Sequence, residues 1–406
     1  MIIVWVNKRD WRTPGPIVNM ALHNAAAFAD RGYETHLCIG AGKPSDTRSD
    51  LEGFYGLEAG GRLHIHRIPR YRLPGASYSI SVFLHAYRLI KRLAADAPVA
   101  VFTRESGFLF FLSRLCKRNK NVKGFYELHD LYADLSWVDE KKGGHRREWL
   151  YERLLLPSID GIVCITREQE KRYNAIFPNI PSCAFPLGTQ PAAEQTSPEE
   201  KRRRRTLMYV GHMHSDKGID FLLGATRRLI RENVHVLFWG GKPGKVPVFE
   251  KRAAAMGIAG HVRFVPFQPP QEMHRALARE ASLGVVMLKD TYYNRYLTCP
   301  VKALDYLSHG IPAIGSDIPS VHEVLADAGT YVPPDHLDRF VEAVLELLDD
   351  PVRYAAMAAR ARRRATEISW QMRAKTLADF AASIHFLGEP AGAGIERPAG
   401  SGIQKG

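Results

Sequence analysis

Short runs of apolar and β-branched residues alternate along the chain with longer amphipathic stretches. The first run, residues 2–6, predicts a buried strand, and Ile17, Met20, Ala21, Ala25 and Phe28 follow it at helical spacing. A second helix is predicted over residues 79–94, and further buried strands over residues 35–39, 99–102, 125–128 and 162–165. Residues 63–68 alternate polar and apolar, as strands nearer a sheet edge do. This order indicates a parallel sheet with helices on both faces.

The same order starts again in the second half of the chain. Strands are predicted over residues 207–210, 234–239, 262–265 and 283–288, with short final strands at 313–314 and 331–332. Polar residues 189–197 and the basic run 201–205 separate the two series, which is typical of a linker. We therefore predict an α/β protein with two doubly wound, Rossmann-like domains.

The predicted boundaries follow from these patterns. An N-terminal domain covers residues 1–190, a linker 191–205 and a C-terminal domain 206–370. A helix is predicted over residues 371–387, and this helix could pack back on the N-terminal domain. The tail, residues 388–406, is rich in Gly, Pro and Ala without periodicity, so we expect it to be disordered.

The charge of the chain is lopsided. Its 56 Lys and Arg residues against 43 Asp and Glu residues give a formal net charge of +13, which favours an anionic partner. No aromatic residues interleave with the basic run 201–205, so we expect no nucleic-acid binding. No apolar run reaches the roughly 18 residues of a membrane-spanning helix. The five cysteines are scattered without a Cys-x-x-Cys pair, which favours reduced thiols in a cytoplasmic protein.

Candidate chemistry lies where strands end, because doubly wound sheets bind ligands at the carboxyl ends of their strands. Gly15 follows the first strand and opens a helix, where backbone can approach a phosphate closely. His129 follows the predicted strand 125–128 and is placed to face the crevice, although a structural role is the alternative. In the second series, a turn at Gly211 leads to Lys217 just before a helix, where a lysine can meet a phosphate.

The most specific stretch is residues 298–317. It predicts a helix that ends at Gly310 and is followed by a short strand. Backbone amides from Cys299 to Lys302 open that helix and could cradle a diphosphate. Asp305 lies near the helix start, where it could accept hydrogen bonds from sugar hydroxyls.

Several of these stretches resemble those of one known family. Gly211 with Lys217 and Gly218, residues 239–241, residues 300–306 with 310–312, Glu323 and Trp370 are similar to the motifs of glycosyltransferase family 4, the retaining group 1 enzymes of GT-B fold. The resemblance covers roughly residues 1–385. It implies two domains facing a central cleft, with a UDP- or GDP-linked sugar held mostly by the C-terminal domain and the acceptor by the N-terminal domain.

The resemblance also implies roles for single residues. Lys217 would neutralise the donor diphosphate, Asp305 would hold the ribose hydroxyls, and His129 would lie near the transferred sugar. His129 and Lys217 are therefore the catalytic candidates. The donor-binding candidates are Gly15, His212, Gly241, Cys299, Val301, Lys302, Asp305 and Glu323.

Two positions depart from the family pattern. His212 stands in the region where the family usually has Arg, and a neutral imidazole is a poorer partner for a diphosphate. Leu297 stands where the first acid of the Glu-x7-Glu motif belongs, and it cannot hydrogen-bond a sugar. Asn294, Tyr296 or Thr298 could substitute for that acid.

The predicted function is retaining, metal-independent transfer of a sugar to a glycan or lipid-linked acceptor in envelope or extracellular polysaccharide biosynthesis, with no cofactor besides the nucleotide sugar. No Asp-x-Asp metal motif follows a strand. The alternatives are a non-catalytic nucleotide-sugar or glycan-binding protein and a sugar-nucleotide epimerase of the same fold.

Membrane contact is the remaining open question. Residues 78–94 and 108–123 combine aromatic and basic side chains, which suits peripheral contact with anionic lipid on the inner face of the membrane. Ordinary sheet-packing helices with solvated charges explain the same pattern equally well.

Overall fold

The computed structural model describes residues 1–58, 60–70, 79–136, 138, 145–193, 196–213 and 218–384. Two wholly parallel sheets organise this part of the chain, one of seven strands and one of six. The predicted fold class is confirmed, since the strand order reverses between the first and fourth strand of each sheet, as in doubly wound domains.

The N-terminal sheet has the order β3-β2-β1-β4-β5-β6-β7. Its strands are β1 (Ile2–Asp10), β2 (Thr35–Gly40), β3 (Leu63–Ile68), β4 (Val99–Thr103), β5 (Val122–Leu128), β6 (Gly161–Cys164) and β7 (Ser182–Ala184). Its helices are α1 (Pro16–Asp30), α2 (Thr47–Asp50), α3 (Ile80–Leu93), α4 (Leu109–Arg118), α5 (Arg146–Leu155) and α6 (Arg167–Ile176).

The C-terminal sheet has the order β10-β9-β8-β11-β12-β13. Its strands are β8 (Thr206–Val210), β9 (His235–Gly241), β10 (Val262–Pro266), β11 (Leu283–Val286), β12 (Ala313–Ser316) and β13 (Gly329–Val332). The helices are α7 (Pro198–Arg203), α8 (Ile219–Leu229), α9 (Val246–Ala255), α10 (Pro270–Glu280), α11 (Tyr292–Tyr296), α12 (Val301–Ser308), α13 (Pro319–Leu325), α14 (Leu337–Asp349), α15 (Pro351–Glu367) and α16 (Trp370–Ser383).

The strand predictions differ from the structure mainly at the ends. Strand β1 continues to Asp10, beyond the apolar run, because its polar continuation still pairs with β2 at Gly40. Strand β7 is absent from the prediction, since its three residues are only half buried and carry no hydrophobic signal. Helix boundaries agree more closely, and many are fixed by local caps such as the Thr166 side chain, which accepts from the amide of Gln169.

The basic run 201–205 is not a solvated linker as predicted. Residues 198–203 form α7, and this helix packs against α15. Lys201 is 1% exposed and its ammonium donates to the carbonyl of His309, while Arg202 donates to the carbonyl of Leu348. Both side chains donate hydrogen bonds to carbonyl groups at the ends of helices in the C-terminal domain, so this stretch belongs to that domain.

Helix α16 leaves the C-terminal domain and packs on α1 of the N-terminal domain. The Trp370 ring stacks on His23 with centroids 5.7 Å apart, and Phe380 meets Phe125 of β5 edge to face. The end of the helix predicted over 371–387 and the whole predicted tail, 388–406, lie outside the described residues. Among the residues that are described, no helix is both long and apolar enough to cross a bilayer.

Candidate functional site

A cavity of about 1520 Å³ lies between the two domains, where the carboxyl ends of both sheets face each other. The N-terminal wall includes residues 10–16, 41–44, 54–55 and 69–70, which follow or adjoin β1, β2 and β3. The C-terminal wall includes residues 209–212, 239–240, 267–270, 298–302 and 305. The size suits an elongated ligand of nucleotide-sugar dimensions.

Helix α12 presents its amino-terminal end to this cavity. Pro300 precedes the first turn, and Val301 and Lys302 line the cavity wall. The Lys302 ammonium lies over the ring of Tyr209, 3.7 Å from its centroid, and close beneath the turn at Gly211. The helix end and the ammonium together make this wall electropositive, which favours an anionic ligand.

Asp305 stands one turn further along α12 and also lines the cavity. Burial raises the pKa of its carboxyl group to about 7, although the positive charge of Lys302 acts in the opposite direction. A carboxyl group near this pKa both donates and accepts hydrogen bonds, which suits contact with a pair of sugar hydroxyls.

Two glycines bring strand-end loops of the C-terminal domain into close contact. Gly240 has a φ of +114°, and a Cβ atom there would lie 2.7 Å from the carbonyl oxygen of Gly211. The amide of Gly211, itself at φ +126°, donates to the carbonyl of Trp239 at 2.8 Å. Only glycine permits this approach, so the floor of the cavity depends on both residues.

Gly15 opens the facing wall at the start of α1. Its φ of +106° is a conformation that L-residues rarely adopt, although no atom lies within 4 Å of the position a Cβ would take. Pro16 then occupies the first helical position. The amino-terminal end of α1 therefore faces the cavity with bare backbone, opposite α12.

Two buried charged side chains, Glu127 and Arg373, fix the position of the His129 imidazole. Its Nε2 lies 2.6 Å from Oε1 of Glu127, and Oε2 of Glu127 accepts from the Arg373 guanidinium of α16 at 2.5 Å. Burial alone would raise the pKa of Glu127, but Arg373 and the His129 hydrogen bond bring it down to about 2. Burial and the charge of Arg104 lower the pKa of His129, and the hydrogen bond with Glu127 acts in the opposite direction.

The structure gathers most of the described donor-binding candidates at one cavity. Those that line it are Gly15, His212, Cys299, Val301, Lys302 and Asp305. Of the other described candidates, Gly241 is buried against Met213, and Glu323 accepts a hydrogen bond from the amide of Arg167 where α6 meets α13. His129 is not among the lining residues, and Lys217 lies outside the described residues.

The positions proposed to replace the missing acid fall in different places. Leu297 is wholly buried among residues of the N-terminal domain, and its carbonyl accepts from Gln169. The carbonyl of Tyr296 likewise accepts from Thr166. Asn294 and Thr298 line the cavity, so these two can reach a ligand.

Sequence reasoning missed several residues of the cavity. Arg12, Lys43 and Arg70 follow β1, β2 and β3, and Phe267 and Gln268 follow β10. Each stands just beyond a strand end, so inspecting the loop after every strand would have found them. Arg12 also has a φ of 60°, and its amide donates to the Tyr55 hydroxyl, which no sequence pattern signals.

Two family models match the chain, one in each half. Residues 17–183 match the model described as Glycosyltransferase Family 4, and residues 204–350 match the model described as Glycosyl transferases group 1. Among curated proteins, the chain is 26% identical to a D-inositol 3-phosphate glycosyltransferase of Corynebacterium urealyticum, over 76% of this chain and 79% of that protein. It is 26% identical to an alpha-D-kanosaminyltransferase of Streptomyces kanamyceticus over only 36% of this chain and 37% of that protein.

Solved structures show the same fold at low identity. Sucrose-phosphate synthase from Thermosynechococcus elongatus has a TM-score of 0.67 at 16% identity, covering 94% of this chain and 98% of that one. Anabaena HepE in complex with UDP and glucose has a TM-score of 0.67 at 12% identity, over 94% of this chain and 100% of that one. WaaG, a glycosyltransferase involved in lipopolysaccharide biosynthesis, has a TM-score of 0.61 at 17% identity, covering 93% of this chain and 99% of that one.

Proposed function

Because this chain belongs to the group 1 glycosyltransferases of glycosyltransferase family 4, we propose that it transfers a sugar from a nucleoside diphosphate to an acceptor with retention of anomeric configuration. The observation that carries the proposal is the interdomain cavity, where the amino-terminal ends of α1 and α12 face each other. Such helix ends bind phosphate groups through their backbone amides. The donor is a UDP- or GDP-linked sugar.

The electropositive wall of the cavity performs the main chemical task. As the bond between the anomeric carbon and phosphate breaks, negative charge grows on the departing diphosphate. The amides at Val301 and Lys302 and the Lys302 ammonium stabilise this charge, and they are held in place before the reaction starts. Lys217 supplies a further positive charge in this proposal. The acceptor hydroxyl attacks from the face that the diphosphate leaves, and a phosphate oxygen takes its proton.

His129 is not among the residues that line the cavity, and we assign it a contact with the transferred sugar on the family resemblance alone. The carboxylate of Glu127 only accepts hydrogen bonds, so the His129 Nε2 atom must carry the proton it donates. The Nδ1 atom is then the acceptor, and in our proposal it receives a hydrogen bond from a sugar hydroxyl. Glu127 and Arg373 act as positioning residues, because they fix the tautomer without touching the substrate.

The reaction is tested with a donor screen. Purified protein is incubated with UDP- and GDP-sugars, and release of nucleoside diphosphate is measured with and without glycan and lipid-linked acceptors. For the best donor, Lys217→Ala should lower kcat/KM by about 10²–10³, as expected for loss of one group that stabilises developing charge. Lys251→Ala, an exposed lysine of α9, is the matched control and should leave the rate unchanged. Equal rates in both variants would remove Lys217 from the site.

A binding protein without transfer activity is the second candidate. It is favoured by the burial of Leu297, since the chain offers no carboxylate at that position of the site. Calorimetry that detects donor binding, combined with no release of nucleoside diphosphate in any reaction, would support this candidate. Epimerised donor appearing without acceptor would instead identify an epimerase.

We further propose that the acceptor is a membrane-linked precursor of an envelope or extracellular glycan and that the N-terminal domain rests on an anionic membrane. Exposed apolar side chains occur on α4 and α5, where Phe110 is 56%, Leu154 is 64% and Trp149 is 40% exposed. Six basic residues lie on the neighbouring helix turns of α3 and α4: Arg88, Lys91, Arg92, Arg114, Lys117 and Arg118. This combination suits peripheral contact with anionic lipid.

Sedimentation with liposomes tests the membrane contact. Binding should require anionic lipid and should weaken in Phe110→Ser and Leu154→Ser. Val352→Ser is the control, because Val352 is 78% exposed but lies on α15 of the C-terminal domain. Binding that ignores lipid charge, or that responds equally to all three substitutions, would refute this surface.

A further inference from the structure

Four histidines and a glutamate gather at the edge of the N-terminal sheet. Strands β2 and β3 pair in parallel with His36 opposite His64 and Cys38 opposite His66. Because alternate residues share a strand face, His36, His64 and His66 all lie on the face covered by α3. His85 of α3 contributes a ring 5.6 Å from that of His66, and Glu34 stands just before β2.

The side chains in this group are close enough to act together. The His36 Nε2 atom lies 3.1 Å from Oε1 of Glu34, and its Nδ1 atom lies 3.0 Å from Nε2 of His66. The rings of His36 and His64 stack with centroids 4.7 Å apart. One ligand atom from each of Glu34, His36 and His64 falls within 4.8 Å of the other two.

This group is separate from the interdomain cavity. The amino end of β2 carries Glu34 and His36, whereas the carboxyl end leads to residues 41–44 of the cavity wall. Strand β3 is the outermost strand of its sheet, and Glu34 and His64 are exposed. The group therefore faces solvent toward the amino ends of these strands, away from the cavity.

We propose that Glu34, His36 and His64 bind a divalent transition cation of the Zn²⁺ type, which ties the edge strand β3 to β2. Two imidazoles and one carboxylate are a donor set that such cations prefer, and a fourth position facing solvent is left for water. Bonds of about 2.0–2.2 Å place ligand atoms up to about 4 Å apart, so small rotations of the two exposed side chains complete the site.

His66 supplies the supporting contact that metal-binding histidines usually have. With the cation on the His36 Nε2 atom, the proton of that imidazole lies on Nδ1 and is donated to Nε2 of His66. This hydrogen bond fixes the tautomer and the ring orientation of His36. The arrangement is thus more complete than a chance pair of surface histidines.

The charged and titratable groups around this site have opposing effects on cation binding. Burial lowers the pKa values of His36 and, to about 4, of His66. The guanidinium of Arg92 lies near these rings and opposes a cation, as does Arg88 near His85. The carboxylate of Glu34 offsets this repulsion by entering the coordination sphere.

The proposal is tested by adding Zn²⁺ to untagged, chelator-treated full-length protein. Calorimetry should detect one bound equivalent, and the Tm of the protein should rise with Zn²⁺ concentration. Mg²⁺ should have no effect, because it prefers oxygen ligands. Co²⁺ should give the visible absorption bands of a site with imidazole ligands.

Matched variants locate the cation. His64→Gln and Glu34→Gln alter exposed side chains, so folding should persist while Zn²⁺ affinity falls at least about tenfold. His261→Gln is the control, because His261 stacks on His235 with ring centroids 5.0 Å apart and its Nδ1 atom has no hydrogen-bond partner among the described residues. Absence of a Zn²⁺-induced Tm shift in the unmodified protein, or equal loss in the control, would overturn the site. None of these measurements depends on glycosyl transfer.

Discussion

The interaction between Arg373 and Glu127 predicts a large and specific response to Arg373→Met. Arg373 is 0% exposed and lies on α16, the helix that returns to the N-terminal domain. Its guanidinium donates to Glu127 of β5 at 2.5 Å, to Asn24 of α1 at 3.0 Å, and to the carbonyls of Phe185 and Pro186 at 2.5 and 2.9 Å. One side chain thus joins the last helix, the first helix and the sheet.

Methionine has a similar length but no charge and no donors. The substitution leaves the Glu127 carboxylate buried without its cation, and it deprives the two carbonyls of a donor. Removing one member of a buried ion pair costs about 3–5 kcal/mol. Lys375→Met on the same helix is the control, because Lys375 is exposed and pairs with Asp379 one turn away. Such surface pairs contribute less than about 0.5 kcal/mol.

In Arg373→Met, the contribution of Glu127 to the pH dependence of stability should also change sign. Burial raises the pKa of Glu127, but Arg373 and His129 outweigh it and hold the value at about 2, below the ordinary 4.5. The wild-type contribution is therefore present above pH 4.5 and is lost as the pH falls toward 2. Without Arg373, burial raises the pKa in the folded state above 4.5, so stability should fall as the pH rises above that value.

Urea denaturation at about pH 5 and about pH 7.5 measures both effects. Compared with wild type, Arg373→Met should lose more stability at the higher pH. The double variant with Glu127→Gln should recover part of the loss, because the neutral amide no longer leaves a buried charge. A cost below about 1 kcal/mol for Arg373→Met, or effects of the two substitutions that add within about 0.5 kcal/mol, would refute a stabilising role for this ion pair.

Three further predictions concern single residues. Burial raises the pKa of Glu152 to about 8, so its contribution to stability is present below pH 4.5 and is lost as the pH rises through 8. Urea denaturation should show that Glu152→Gln flattens this decline in the free energy of unfolding, whose slope is at most about 1.4 kcal/mol per pH unit. Gly240→Ala should weaken UDP binding at least about tenfold, or about 1.4 kcal/mol by calorimetry, because its Cβ would meet the Gly211 carbonyl, whereas Gly244→Ala has open space and should have no effect. Lys302→Gln should weaken UDP binding by about tenfold while leaving uridine binding nearly unchanged, since Lys302 lines the wall to which we assign the diphosphate.

Much of the fold could be predicted from local patterns. Alternation of buried runs and amphipathic stretches located most strands and indicated two parallel sheets, because buried parallel strands are apolar on both faces. Strand β7 and the helical state of residues 198–203 were missed. Their conformations depend on contacts with distant parts of the chain, such as those of Lys201 with residue 309.

The candidate site was predicted unevenly for the same reason. Gly15 and the start of α12 were found because a glycine or a helix opening after a strand is a local signal. Glu127 was not found, since it is one polar residue within an apolar strand. Its role depends on the ion pair with Arg373, which lies 246 positions away in the chain. The histidine group was visible only as alternation in residues 63–68.

The sequence alone therefore determined most of the elements, the parallel sheets and the family, because these follow from periodicity and short motifs. The tertiary structure decided which strand ends share one cavity, that α16 returns to the N-terminal domain, and that His36 and His64 meet across β2 and β3. The physical reason is that ligand binding and buried charge pairs require side chains to converge in space, and convergence depends on packing between segments that are far apart in the chain.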